Sequence, residues 1–309
     1  MGKKKIIVLT GFLGAGKTTF LKKMIKYLED TKIAVVMNEF GRVSIDGELL
    51  EDTPIILEAI NRGSIFCSCL KLNFVQKLID LADSDSEYVF VEGSGLADPS
   101  NMGEILDAVD TVKIDSYKYI GGICVVDGLN FLNDKEDIET IKYQIEHCQI
   151  AVVSKTENSK RDYKDKIFNE IKKINKDINI IFTDEVKAEE ETMIFLNKEI
   201  YMDKNKKSSN TKENKPKSLC LTSEDNNINI KEFEGFINSM LPYAYRIKGF
   251  VKILDKTYEV HTVQNICEIK EYNKNLKTEI VFLSKVGPNI IRPIFDNWKE
   301  KINTEIKVR

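Results

Sequence analysis

The chain has 309 residues, 42% of them hydrophobic and 31% charged, and a formal net charge of −3. That balance excludes a disordered chain, and the length suits two domains better than one. The slightly acidic total gives no reason to expect a nucleic-acid partner, and no apolar run approaches the roughly 18 residues that a membrane span needs.

Residues 4–10, with the run Ile6-Ile7-Val8-Leu9, read as a buried strand. They lead directly into Gly11-Phe12-Leu13-Gly14-Ala15-Gly16-Lys17-Thr18-Thr19, which fits the phosphate-binding pattern G-x-x-x-x-G-K-[ST], and residues 17–29 read as a helix. Strand, glycine-rich turn and helix form the context in which this pattern binds a nucleoside triphosphate. Backbone N–H groups of Gly11, Gly14, Ala15, Gly16 and Thr19 are expected around the phosphates. Lys17 brings a charge to the β/γ-phosphates and Thr18 a hydroxyl to Mg²⁺.

A second strand is expected at 33–37, a short third at 53–58, a helix at 70–82 and a strand at 88–91. A helix follows at 102–109, a strand at 120–126 leading to Asp127, and a helix at 136–148. The strand at 150–153, the helix at 162–173 and a last strand at 178–182 complete the series. Strands alternating with helices in this way predict an α/β P-loop NTPase domain over 1–202, with a mostly parallel sheet covered on both faces and ligands at the strands' carboxyl ends. Residues 203–229 are rich in lysine and asparagine and read as a solvated linker, with a docking surface for an acidic partner as the alternative. Residues 230–309 read as a small α+β C-terminal domain. It has a helix that Pro242 ends, strands at 249–254, 256–263 and 279–283, and a helix at 290–302.

Glu92 ends the apolar strand Tyr88-Val89-Phe90-Val91, where the acid of a P-loop enzyme's second motif belongs. It is expected to hold a water of the Mg²⁺ shell, with Gly95 presenting its N–H near the γ-phosphate. Glu39, in Asn38-Glu39-Phe40-Gly41, would meet Mg²⁺ or orient the attacking water, or else cap its strand. After the strand Ala151-Val152-Val153 comes Ser154-Lys155-Thr156-Glu157, where GTPases carry N-K-x-D. Glu157 can accept hydrogen bonds from guanine, with the Lys155 stem along the ring. Ser154 is shorter than Asn and gives up part of the bracing. Guanine is favoured, with relaxed selectivity and ATP as the alternative.

Together these residues resemble the CobW-type GTPases, the CobW/HypB/UreG-like metallochaperone and metallocofactor-assembly proteins. The resemblance is carried by G-F-L-G-A-G-K-T-T at 11–19, N-E-F-G at 38–41, Ile45-Asp46 and E-G-S-G-L-A-D-P at 92–99. V-V-D at 125–127, Gln144, the I-N-K run from Ile174, Arg246-Ile247-Lys248-Gly249 and Gln264 extend it. It implies a cytoplasmic GTP switch, with GTP and Mg²⁺ as cofactors, that delivers a metal or assists a client metalloenzyme or corrinoid protein, with a homodimer among its states. Turnover should be slow, as no arginine finger is evident in cis. Six cysteines in a chain this long also read as reduced thiols rather than a disulfide framework.

The chain departs from the family at the metal motif. Where relatives have G-C-x-C-C, it reads Gly63-Ser64-Ile65-Phe66-Cys67-Ser68-Cys69. Serine is a poor soft-metal ligand and phenylalanine is none. Cys67 and Cys69 would point the same way on an extended segment and could chelate Zn²⁺, Co²⁺ or Ni²⁺, completed by Glu58, His147, Cys148 or a partner's ligand. Two packed thiols and a redox pair are the alternatives. The rival functional reading is a nucleotide-gated assembly factor that carries no metal itself.

Overall fold

The computed structural model describes residues 2–39, 55–61, 71–93, 95, 99–134, 139–198, 218–263 and 266–309. The chain divides into two compact units, Met1–Lys215 and Pro216–Arg309.

The first unit holds a seven-stranded sheet. Its strands are β1 (Lys4–Thr10), β2 (Ile33–Glu39), β3 (Ile55–Asn61), β4 (Tyr88–Glu92), β5 (Tyr117–Asp127), β6 (Ile150–Ser154) and β7 (Asn179–Phe182). They lie in the order β3-β2-β4-β1-β5-β6-β7, and every pairing is parallel. The helices are α1 (Lys17–Tyr27), α2 (Lys71–Ala82), α3 (Met102–Asp110), the short α4 (Phe131–Asp134), α5 (Glu139–Glu146), α6 (Arg161–Ile174) and α7 (Ala188–Leu196).

Strand alternation builds two cores. Ile7 and Leu9 of β1, Val35 of β2, Phe90 of β4 and Val125 of β5 pack with Phe20, Leu21, Met24 and Ile25 of α1 and with Met193 and Leu196 of α7. Ile6, Val8, Ala34, Val36, Val89 and Val91 face the other way, onto Phe74 and Leu78 of α2 and Met102 and Ile105 of α3. With both faces covered, the strands are near-continuous apolar runs, as a parallel sheet requires. Asn175, just past α6, donates its side-chain amide to the carbonyls of Ile145 and Cys148, each at 3.0 Å, and so satisfies the end of α5.

The second unit has a six-stranded sheet in the order β11-β10-β9-β12-β8-β13, all antiparallel. The strands are β8 (Ser218–Ser223), β9 (Ala244–Ile253), β10 (Lys256–Val263), β11 (Ile266–Tyr272), β12 (Thr278–Ser284) and β13 (Lys307–Val308). One face packs against α8 (Ile230–Met240) and α9 (Ile291–Lys301) through Phe233, Phe236, Ile247, Val251, Phe282, Ile294 and Trp298. Asn229 caps α8 by accepting from the Lys231 N–H at 2.9 Å.

The expected linker over 203–229 therefore needs correction at its C-terminal part. Residues 218–223 form a strand inside the second sheet, because Leu219 and Leu221 alternate into its core with Leu221 fully buried. The expected strand at 249–254 begins earlier, at Ala244, and β11, β13 and α7 were not anticipated. Strand β11 alternates Cys267 and Ile269, packed on the core, with the charged Glu268 and Lys270, and lies at the sheet edge.

Candidate nucleotide-binding site

The glycine loop leaves the carboxyl end of β1, the central strand. Gly11, Gly14 and Gly16 all have positive φ, at 139°, 77° and 93°. A Cβ on Gly11 would lie 2.2 Å from the Val125 carbonyl oxygen, so this turn needs glycine for space as well as for conformation. Ala15 is fully buried, Thr19 is exposed, and Gly16 is the N-cap of α1 with no side-chain cap. The first N–H groups of α1 thus open towards the loop, an arrangement suited to anions. The Lys17 ammonium lies over the loop, donating to the carbonyls of Gly11 at 2.9 Å and Phe12 at 3.1 Å.

Glu92 sits opposite Leu9 of β1 and Met37 of β2 in register, two positions before the loop's first glycine. It is 7% exposed, and its Oε1 accepts from the Thr18 hydroxyl at 2.9 Å. Two hard oxygen donors thus meet at the foot of the phosphate loop, a pair of the kind Mg²⁺ takes together with water and phosphate. Gly95 lies against the loop too: a Cβ there would be 2.5 Å from Leu13 Cδ2 and 3.0 Å from the Leu13 nitrogen. Its carbonyl accepts from the side-chain amide of the fully buried Gln144 on α5, at 3.3 Å.

At the end of β6, Ser154 donates its hydroxyl to the Ala15 carbonyl at 2.8 Å, with the Val126 carbonyl further away at 3.3 Å. Serine therefore reaches the phosphate loop directly, through its one hydroxyl hydrogen. Lys155 has a left-handed backbone, φ 60°, and its ammonium bridges the Gly14 carbonyl and the Asp127 carboxylate, each at 2.7 Å. Thr156 is fully buried and donates to Asp184 at 2.7 Å, while Glu157 is exposed at the loop's end. Lys164 on α6 binds the other Asp184 oxygen and also Glu185. Burial pushes the Asp184 carboxyl up, but its hydrogen bonds from Lys164 and Thr156 together hold it below the usual aspartate range.

The structure thus gathers Gly11, Gly14, Ala15, Gly16, Lys17, Thr18, Thr19, Glu92, Gly95, Ser154, Lys155 and Glu157 at the carboxyl end of one sheet. Glu39 closes β2 on the same edge, with its side chain outside the described residues. Cys67 and Cys69 also lie outside them, as does Gln264. Cys124 and Cys148 are buried, and His147, 9% exposed, stacks on Tyr143 with centroids 6.4 Å apart. Among the described residues no group of three or more His, Cys, Asp or Glu side chains gathers to hold a metal, and no helix is long and apolar enough to cross a membrane. Sequence reasoning gave no site role to Gln144, Asp127 or Asp184. An aspartate two residues past the last strand of such a sheet was the available signal for Asp184.

Residues 5–182 match the family model for the CobW/HypB/UreG nucleotide-binding domain, and residues 217–297 match that for the cobalamin synthesis protein cobW C-terminal domain. The chain is 30% identical over 161 residues to the zinc chaperone YjiA of Escherichia coli (strain K12), covering 49% of each chain. It is 30% identical over 163 residues to the zinc-regulated GTPase metalloprotein activator 1 of Schizosaccharomyces pombe, covering 49% of this chain and 39% of that one. The matched region thus spans about half or less of the length of these curated relatives. The crystal structure of Zn(II)-bound YjiA GTPase from E. coli superposes with a TM-score of 0.48 and 19% identity, covering 96% of this chain and 99% of that chain.

Proposed function

Given that this chain belongs to the CobW/HypB/UreG family, we propose that it is a GTP-binding, slowly GTP-hydrolysing switch that delivers a metal ion or assists assembly of a metallocofactor. The observation that carries the reading is the Thr18–Glu92 hydrogen bond of 2.9 Å beneath the phosphate loop. It joins the two oxygen donors that a phosphate-loop hydrolase uses around its cation.

In this reading Lys17 exchanges its bonds to the Gly11 and Phe12 carbonyls for the β/γ-phosphates. Thr18 and Glu92 fit Mg²⁺, directly and through water respectively, and the ion would neutralise charge on the β- and γ-oxygens. Gly95, packed on Leu13 and held by Gln144, senses the terminal phosphate through its N–H. Glu39 orients the attacking water or meets the cation's hydration shell. Ser154, Lys155 and Glu157 hold the base, with Glu157 accepting from guanine. Turnover without a partner should be slow, on the order of 10⁻⁴–10⁻² s⁻¹, since such sites await a transition-state cation from elsewhere.

Zinc is the cargo the curated relatives suggest, because those proteins are named as zinc chaperones. Cys67 and Cys69 are the thiolates this chain offers for it. Ser64 and Phe66, standing where the family has cysteines, favour a second reading: a nucleotide-gated factor that assists a metalloenzyme or corrinoid protein without carrying the ion.

Calorimetric titration of the full chain with GTP and with ATP, in Mg²⁺, tests the switch. Uptake of GTP in preference to ATP is expected, and no uptake of either ends the reading. Zinc titration of the wild type and of a Cys67→Ser/Cys69→Ser variant separates the two forms. Stoichiometric binding lost in the variant supports the carrier, and equal weak binding in both supports the metal-free factor.

A further inference from the structure

We propose that Asp127 is a positioning residue for the base: its buried carboxylate fixes the Lys155 side chain across the phosphate loop, so that the lysine's aliphatic stem forms one wall of the base pocket. This rests on reading 154–157 as the base loop.

Asp127 ends β5 directly opposite Ser154 of β6 and is 7% exposed. Its two oxygens do different work. Oδ1 accepts from the N–H groups of Leu129 at 3.1 Å and Asn130 at 3.3 Å, which fixes the turn into α4. Oδ2 accepts from Lys155 at 2.7 Å. The carboxylate is therefore held rigidly from one side and holds the lysine from the other. Lys155 also donates to the Gly14 carbonyl at 2.7 Å, so its stem is pinned at the far end between β5 and the phosphate loop. Its side chain is 40% exposed, so part of it stays open to a planar ligand.

The backbone at this point supports the same assignment. Lys155 has φ 60°, an uncommon conformation for a long side chain, and such outliers persist where surrounding contacts enforce them. Gly128 supplies one such contact. Its N–H donates to the Ser154 carbonyl at 2.9 Å, and a Cβ there would be 2.4 Å from Thr156 Cγ2 and 2.7 Å from the Ser154 carbonyl oxygen. The turn after β5 thus presses directly on the base loop. Without Asp127 the Gly14 carbonyl alone would hold the lysine, which would then be less completely ordered and lose more entropy on closing over a base. With Asp127 that ordering is complete before the nucleotide arrives.

The test is a double-mutant cycle on the full chain, measuring affinity for Mg²⁺·GTP and for inorganic tripolyphosphate. Asp127→Asn keeps an oxygen for the turn and removes the charge that holds Lys155. It should weaken GTP binding about tenfold, the scale of one charge-assisted hydrogen bond, and change tripolyphosphate binding less than twofold. Asp127→Glu, which keeps the charge but moves it, should show the same split and serves if the first variant folds poorly. In a Lys155→Met background Asp127→Asn should have no further effect. Equal losses for GTP and tripolyphosphate, or additive losses for the two substitutions, would overturn the proposal. If Lys155→Ala, which removes the stem itself, leaves GTP affinity unchanged, the base-loop reading itself fails, and the proposal with it.

Discussion

Thr156 and Asp184 lie 28 residues apart in sequence, yet the buried threonine hydroxyl donates to that carboxylate at 2.7 Å. The bond fastens the loop after β6 to the residues just past β7. Thr156→Val preserves the shape and removes the donor. It should cost about 1–2 kcal/mol of stability, measured by urea denaturation.

The same carboxylate makes stability depend on pH. Its folded-state pKa is depressed, so the folded chain holds this proton less tightly than the unfolded one does. The stabilisation is therefore present above the ordinary aspartate pKa, about 4, and is lost as pH falls through the folded value. The difference in unfolding free energy between the wild type and Asp184→Asn should be level from pH 6 to 8 and shrink below about pH 4. Growth of that difference on acidification would contradict the assignment.

Glu92→Gln keeps the shape of the side chain opposite Leu9 but removes its charge. Phosphate release in Mg²⁺ should drop by roughly one to three orders of magnitude, as expected when a preorganised electrostatic group at a reacting phosphate is lost. Nucleotide affinity measured in a chelator should stay within about twofold, and a comparable fall there would place Glu92 in folding rather than in the cation site.

Gly11→Ala inserts a methyl 2.2 Å from the Val125 carbonyl oxygen, at φ 139°. Neither strand can retreat without breaking β1–β5 pairing, so the cost should be roughly 2–4 kcal/mol. A denaturation midpoint unchanged from wild type would show that the strands can part.

Phe236 is fully buried and meets Trp298 edge-to-face, with centroids 5.0 Å apart. Phe236→Ala should destabilise the second unit by about 3–5 kcal/mol. Trp298 is the chain's sole tryptophan, so its fluorescence reports the transition.

The β1–loop–α1 segment could be read directly because its signals are local. An apolar run, glycines at the turning points and a lysine–threonine pair occur within one short stretch. Glu92 was legible for the same reason, as the polar end of an apolar strand. The anchors Gln144, Asp127 and Asp184 were not, because each acts on a residue brought near only by the sheet. Strand β8 was hidden by its lysine-rich approach, which outweighed the brief Leu219/Leu221 alternation. Helix α7 opens with Glu189-Glu190-Glu191, which reads as solvated surface although it suits a helix N-terminus, and it still buries Ala188, Thr192, Met193 and Leu196.

Strand β1 is made first yet is flanked by β4 and β5, which the ribosome delivers much later. The carbonyl wall that shapes the turn at Gly11 belongs to β5, which runs from Tyr117 to Asp127. A nascent chain stalled before that strand would display the whole glycine signature without the wall that shapes its first turn. On the proposed reading, competence to bind nucleotide would be a late event in biogenesis, set by the slow closure of long-range parallel pairs rather than by when the motif emerges.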